Sequence, residues 1–201
     1  MGTVVLIIGR SGSGKSSSMR NLDLSKVGLF NVASKPLPFK GQARNKVDRP
    51  TYEIIEKTLV ANKLKNYVID DAGFLMGFEC FARAKETGYQ KFTEMASNFY
   101  NLIQTAIQKT SHDTIVYFTM HTDTDEYGRR AKSYGKMLDS QLGSIEGLFS
   151  IVIEAVNEQG EYKFIVHGDG TSTVKTPIGM FEEDVIDNDL KLVEEAIRKY
   201  Y

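Results

Sequence analysis

The chain has 201 residues, 41% hydrophobic and 25% charged, with a formal net charge of −1. That composition fits one soluble α/β domain spanning residues 1–201 with a full core. The near-neutral balance excludes a global basic field, so any polyanion site has to be a local patch. The single cysteine, Cys80, excludes an internal disulfide framework and a cysteine-cluster metal site, and it fits a reducing cytoplasm.

The first element is the apolar run Val4-Val5-Leu6-Ile7-Ile8, which reads as a buried strand. It is too short for a signal peptide or a membrane span, and Gly9 interrupts it, so no membrane partner is expected. The motif that begins at Gly9 also leaves no room for a targeting segment. Residues Gly9-Arg10-Ser11-Gly12-Ser13-Gly14-Lys15-Ser16 form the G-x-x-x-x-G-K-S of a Walker A loop. The glycines let successive N–H groups curl around a phosphate chain. Ser17-Ser18-Met19-Arg20-Asn21-Leu22 is expected to open a helix whose positive dipole end faces the same phosphates. In this pattern Lys15 reaches the β- and γ-phosphates, and the Ser16 hydroxyl ligates Mg²⁺. The sequence therefore predicts a nucleoside triphosphate site, with ATP and Mg²⁺ as cofactors.

A second apolar run follows at 27–32, and the periodicity of Tyr52, Ile55, Leu59 and Leu64 predicts a helix over 51–64. The strand Tyr67-Val68-Ile69 ends in Asp70-Asp71, a Walker B pattern. Asp70 is placed to hold Mg²⁺. Asp71 is placed either to polarise an attacking water or to cap the next turn. Phe92, Met95, Phe99, Leu102, Ile103, Ala106 and Ile107 form one apolar helical face. The run 114–120 reads as a buried parallel strand ending at His121. A side chain at that tip is positioned to sense a γ-phosphate, or to stand on a surface loop. Two last strands flank the turn Asn157-Glu158-Gln159-Gly160-Glu161 and read as a C-terminal antiparallel hairpin. A final helix carries Leu190, Val193, Ile197 and Tyr200, with cap candidates at 187–189. Strands alternating with helices predict a three-layer α/β fold around a mostly parallel sheet.

Two rival motifs fail on position. Asp70-Asp71-Ala72-Gly73 matches the D-x-x-G of GTPases and Asn45-Lys46-Val47-Asp48 matches N-K-x-D. The guanine-reading motif should end an apolar strand after D-x-x-G, whereas here it precedes it within a polar stretch. Nucleoside monophosphate kinases share the size and the P-loop, but they need an arginine-rich lid. Only Gly128-Arg129-Arg130 resembles a lid fragment.

On the Walker motifs, the chain resembles the RecA-fold ATPases. It resembles more closely the small phage ATP-binding proteins built on a RecA core, the Sak-type single-strand annealing group. Lys35-Pro36-Leu37-Pro38-Phe39-Lys40-Gly41 and Gly179-Met180-Phe181-Glu182-Glu183 carry that closer likeness. The resemblance implies a RecA-like P-loop NTPase core acting on single-stranded DNA in phage-type recombination or replication, in the host cytoplasm. It implies a homo-oligomer with nucleotide near the subunit interface; a single-strand binding protein is a candidate further partner, and the main one if the chain is a nucleotide-gated interaction module.

In that family, two loops face DNA. Here they correspond to 77–92, with Arg83, Lys85 and Lys91, and to 122–138, with Arg129, Arg130, Lys132 and Lys136. Aromatics interleave with these cations, as single-strand binding requires. Acids dilute both segments, so a solvated amphipathic surface is the competing reading. Lys175 occupies the region from which such oligomers place a cation over the neighbouring subunit's ATP, and it also reads as a plain loop lysine. Two departures stand out. The stretch Asn31-Val32-Ala33-Ser34-Lys35 offers no catalytic glutamate, and the chain carries no polymerisation arm. Both point to slow turnover or switch-like binding. A small-molecule phosphotransferase and a nucleotide-gated interaction module are the alternatives.

Overall fold

A computed structural model of the full sequence describes residues 1–125, 128–132, 144–170 and 172–201. The apolar run at the start forms β1 (Thr3–Gly9), and the acid-tipped run forms β4 (Asn66–Asp70). Between them in sequence lie β2 (Val27–Asn31), β3 (Asn45–Asp48) and helix α1 (Tyr52–Ala61). Helices α2 (Gly73–Ala82) and α3 (Gln90–Gln108) precede β5 (Ile115–Asp125). Then come β6 (Gly128–Ala131), β7 (Ile151–Glu158), β8 (Glu161–Ile165), β9 (Val185–Asp187) and α4 (Leu190–Tyr200).

The main path of the sheet runs β3-β2-β4-β5-β1-β7-β8-β9, with β6 paired to β5 off that path. All pairs from β3 to β7 are parallel, and β7–β8 and β8–β9 are antiparallel. The mostly parallel α/β sheet and the C-terminal hairpin are therefore as the sequence predicts. Burial on both faces explains the near-continuous apolar strands. Val4, Leu6 and Ile8 pack with α1–α3 residues such as Ile55, Met95 and Phe99. Val5 and Ile7 face the other way, onto Leu190, Val193 and Ile197 of α4 and onto Met19. The sheet is the middle of three layers.

Four details differ from the sequence expectation. The segment after the Walker A loop is a short 3₁₀ helix, Ser17–Asn21, rather than a full α-helix. Its Ser18 side chain bends back onto the Lys15 carbonyl at 2.6 Å, a local bond that competes with helix propagation. Residues expected as the loop 77–92 are helical through Ala82, because Leu75 and Met76 bury a turn of α2 in the core. Residues expected as the loop 122–138 begin as strand: β5 runs on to Asp125 and pairs antiparallel with β6. The polar stretch 45–48 is an edge strand, and three strands separate it from β1, so the N-K-x-D match stands far from the phosphate loop along the sheet.

Candidate phosphate site

In an open parallel sheet, ligands settle at the carboxyl ends of the strands. Here the registers bring Gly9 opposite His121 across β1–β5, and Asn31 opposite Asp70 across β2–β4. The loop Arg10–Ser17 thus starts beside His121, with β5 separating it from the paired acids. Residues Ser11–Ser17, Lys35, Pro36, Leu37, Pro38, Asp70, Asp71 and His121 line one cavity of about 210 Å³. Five of the polar or charged side chains predicted for the site, those of Lys15, Ser16, Asp70, Asp71 and His121, meet in it.

The loop is tightly built. Gly14 has φ of 95°, and a β-carbon there would lie 2.7 Å from the Tyr162 ring, so only glycine fits. Lys15 is 5% exposed, and its ammonium donates to the carbonyls of Gly9 at 2.8 Å and Arg10 at 2.9 Å. Burial pulls its pKa down to about 8, against the opposing pull of Asp71 and Asp70, and the charge of Lys35 adds to the lowering. The Ser16 hydroxyl lies 2.9 and 2.8 Å from the two Asp70 carboxylate oxygens. Thr119 on β5 donates to Asp70 Oδ1 at 2.8 Å and accepts from the Asp71 N–H at 2.8 Å. Burial, followed by repulsion from Asp71, raises the Asp70 pKa, although Thr119 and Ser16 oppose the change.

Asp71 has φ of 59°, in the left-handed region that few non-glycine residues adopt. Its backbone carbonyl accepts from Phe74, but α2 has no side-chain cap bond. The carboxylate faces two other partners instead. Lys35 Nζ lies 2.9 Å from Oδ2, and His121 Nε2 lies 3.4 Å from Oδ1. Burial pushes the Asp71 pKa up, but hydrogen bonds from His121 and Lys35 outweigh it and hold the group at about 2. A carboxylate that acidic is a weak proton acceptor, which makes it an anchor for cationic donors.

Lys35 and Thr119 were not among the residues the sequence marked for this site. Lys35 is placed by Asn31, whose amide donates to the Lys35 carbonyl at 2.8 Å and whose Oδ1 accepts from the Lys35 N–H at 3.2 Å. A signal existed for Thr119, since it is a hydroxyl in an otherwise apolar buried run. None existed for the pairing of Lys35 with Asp71.

The donor set fits Mg²⁺. Among the described residues no cluster of three or more His, Cys, Asp or Glu could hold a metal alone. Mg²⁺ characteristically takes one or two carboxylates together with substrate phosphates and water. Ser16 and Asp70 supply that kind of partial shell at the mouth of the loop.

The residues predicted for DNA lie elsewhere. Arg83 is gripped by Glu79, Glu86 and Glu94 at 3.2, 2.7 and 2.6 Å. The Lys91 ammonium donates to the carbonyls of Arg83 and Glu86. Lys85 and Lys132 are exposed. Arg129 and Arg130 pair through their backbones in β6, while their side chains and the whole of Lys136 lie outside the described residues. Lys175 is exposed and forms a backbone bridge to Val152, away from the cavity of its own chain. No helix among the described residues is long and apolar enough to cross a membrane. Neither protein-family models nor curated proteins give a match to this sequence.

Proposed function

We propose that this chain binds ATP–Mg²⁺ at the Gly9–Ser17 loop and acts as a slow or switch-like RecA-type ATPase controlling contact with single-stranded DNA. The observation that carries the nucleotide part is the convergence of Lys15, Ser16 and Asp70 on one cavity at the sheet's carboxyl edge. When bound, Mg²⁺ would neutralise charge between the phosphates, with Ser16 and Asp70 as its protein donors. Lys15 is a buried cation within the loop, and its bonds to the Gly9 and Arg10 carbonyls are ones that a phosphate chain would replace. The RecA-type reading draws support from the strand order, in which β5 separates the loop strand from the acid strand and delivers His121 beside Gly9. The absence of a glutamate after β2 and the low basicity of Asp71 favour slow hydrolysis over rapid turnover.

The DNA part rests on the resemblance and on two exposed aromatics, Phe81 in α2 and Tyr89 at the start of α3. Calorimetric titration with ATP, with and without Mg²⁺, tests the nucleotide part. Lys15→Met should abolish binding, and wild-type affinity in that variant overturns the site. Hydrolysis with and without single-stranded DNA, nucleosides and nucleoside monophosphates separates an ATPase from a phosphotransferase. Anisotropy titrations across a salt series test the DNA part. Joint replacement of Arg129, Arg130 and Lys132 should flatten the salt slope by about 0.7 per lost phosphate contact.

A further inference from the structure

A lysine just beyond β2 has no place in the Walker pattern, yet it stands in the phosphate cavity. Lys35 is more than half exposed although its partner Asp71 is buried, so the ammonium keeps an open side toward the cavity while it neutralises the acid. Its position is nevertheless fixed from several sides. The Asn31 side chain bonds both the N–H and the carbonyl of Lys35, closing the turn after β2, and Asp48 accepts from the same Asn31 amide at 2.6 Å. Pro36 and Pro38 restrict the chain immediately beyond it. The ammonium lies 5.2 Å from the centre of the Phe74 ring, and Phe74 also packs against His121 at 5.4 Å.

Asp71 therefore holds two donors from different strands, Lys35 from beyond β2 and His121 from β5, on one carboxylate. Both donors line the same cavity as Lys15. We propose that Lys35 and His121, aligned by Asp71, form a subsite for the terminal phosphate of a nucleoside triphosphate, with Lys35 as a second phosphate-binding cation supplied in cis. This inference rests on the nucleotide reading of the Gly9–Ser17 loop. An ammonium carries several N–H donors, and Asp71 occupies only part of that capacity. The remaining donors can take phosphate oxygens without breaking the ion pair. A diphosphate, one phosphate shorter, leaves this subsite empty. The consequence is discrimination between the triphosphate and its hydrolysis product.

The test is calorimetric affinity of the full chain for ATP–Mg²⁺ and ADP–Mg²⁺, measured for wild type, Lys35→Ala, Lys35→Arg and Lys15→Met. A lost charge-assisted hydrogen bond corresponds to roughly a tenfold or larger drop in affinity. Lys35→Ala should lose about that much for ATP and keep its ADP affinity, while Lys35→Arg should retain most of both. Lys15→Met should lose both nucleotides. Equal losses for ATP and ADP in Lys35→Ala, or no loss for ATP, would overturn the subsite while leaving the loop assignment standing. Wild-type binding by Lys15→Met would overturn the loop assignment and the subsite with it.

Discussion

Replacing Lys15 with Met should leave the nucleotide-free protein about as stable at pH 7 while destroying its nucleotide binding and changing how stability depends on pH. Lys15 is nearly fully buried, and its pKa falls from 10.5 to about 8. At neutral pH the folded state must therefore carry a charge that burial disfavours. Every tenfold loss of proton affinity corresponds to about 1.4 kcal/mol, so the ceiling on that cost is about 3 kcal/mol. Met matches the stem in length without the charge, but it abandons the carbonyls of Gly9 and Arg10. Two charge-assisted hydrogen bonds of about 1.5 kcal/mol net each offset that gain, so the two proteins should be about equally stable at pH 7.

The sign of the pH dependence is decisive. Between about pH 8 and 10.5 the unfolded chain keeps a proton on Lys15 that the folded chain has released, so wild-type stability rises with pH through that window. The Lys15→Met variant has no such group. The variant's stability relative to wild type should fall by about 2 kcal/mol between about pH 7 and pH 9.5, leaving it the less stable protein at the higher pH. Urea unfolding of both proteins at the two pH values measures this directly. A stability difference independent of pH would refute the claim that Lys15 is held charged in a desolvated loop.

Three further outcomes follow from the same geometry. Asp70→Asn should remove the Mg²⁺ dependence of triphosphate affinity, because Ser16 alone cannot supply the charge; titrations with Mg²⁺ and with EDTA would then coincide. Gly14→Ala should cost about 1–3 kcal/mol, from a left-handed backbone and a β-carbon driven into Tyr162, and should show as a lower urea midpoint and weaker binding of ATP and ADP alike. Asn31→Ala should lower the ratio of ATP to ADP affinity in the same sense as Lys35→Ala but by less, since Asn31 positions Lys35 without reaching the ligand; calorimetry with both nucleotides reads the ratio.

The sequence carried the parts of this site that are local. Gly9 to Ser16 is one contiguous motif, and Asp70 sits at the end of a strand whose apolar run is plain. Buried strands such as β1 and β5 were equally plain, because burial on both faces leaves a continuous apolar signature. The missed elements lack that signature. Strand β3 is an edge with an exposed polar pattern, and β9 has only three residues. Helix α2 begins at a glycine directly after the acid pair, where turn composition masks it. The role of Lys35 was invisible for a different reason. It depends on the register of β2 with β4 and on the left-handed turn at Asp71, neither of which a single chain segment expresses. Thr119 was visible as a polar break in a buried run but had no partner until β5 was placed beside β4.

The shortness of the 3₁₀ segment after the loop changes where anion affinity has to come from. A full α-helix would align many peptide dipoles toward the phosphates. Five residues of 3₁₀ helix, Ser17–Asn21, align few. Loop amides and side-chain cations must then supply more of the attraction. The cavity holds its lysines beside acids: Lys15 feels Asp70 and Asp71, and Lys35 pairs with Asp71, which His121 also contacts. Such pairing makes the buried Lys15 charge and the buried acids tolerable, since each has a counter-charge nearby. On the proposed reading, a triphosphate would bring more negative charge than Mg²⁺ removes and so complete the balance on the cationic side, with Ser16 and Asp70 as the residues that would hold Mg²⁺. On this account affinity should depend on Lys15 for any phosphate chain and on Lys35 only for the longest. If the proposed subsite holds the terminal phosphate, slow turnover is expected, because the acid beside it, Asp71, is already committed to its two donors.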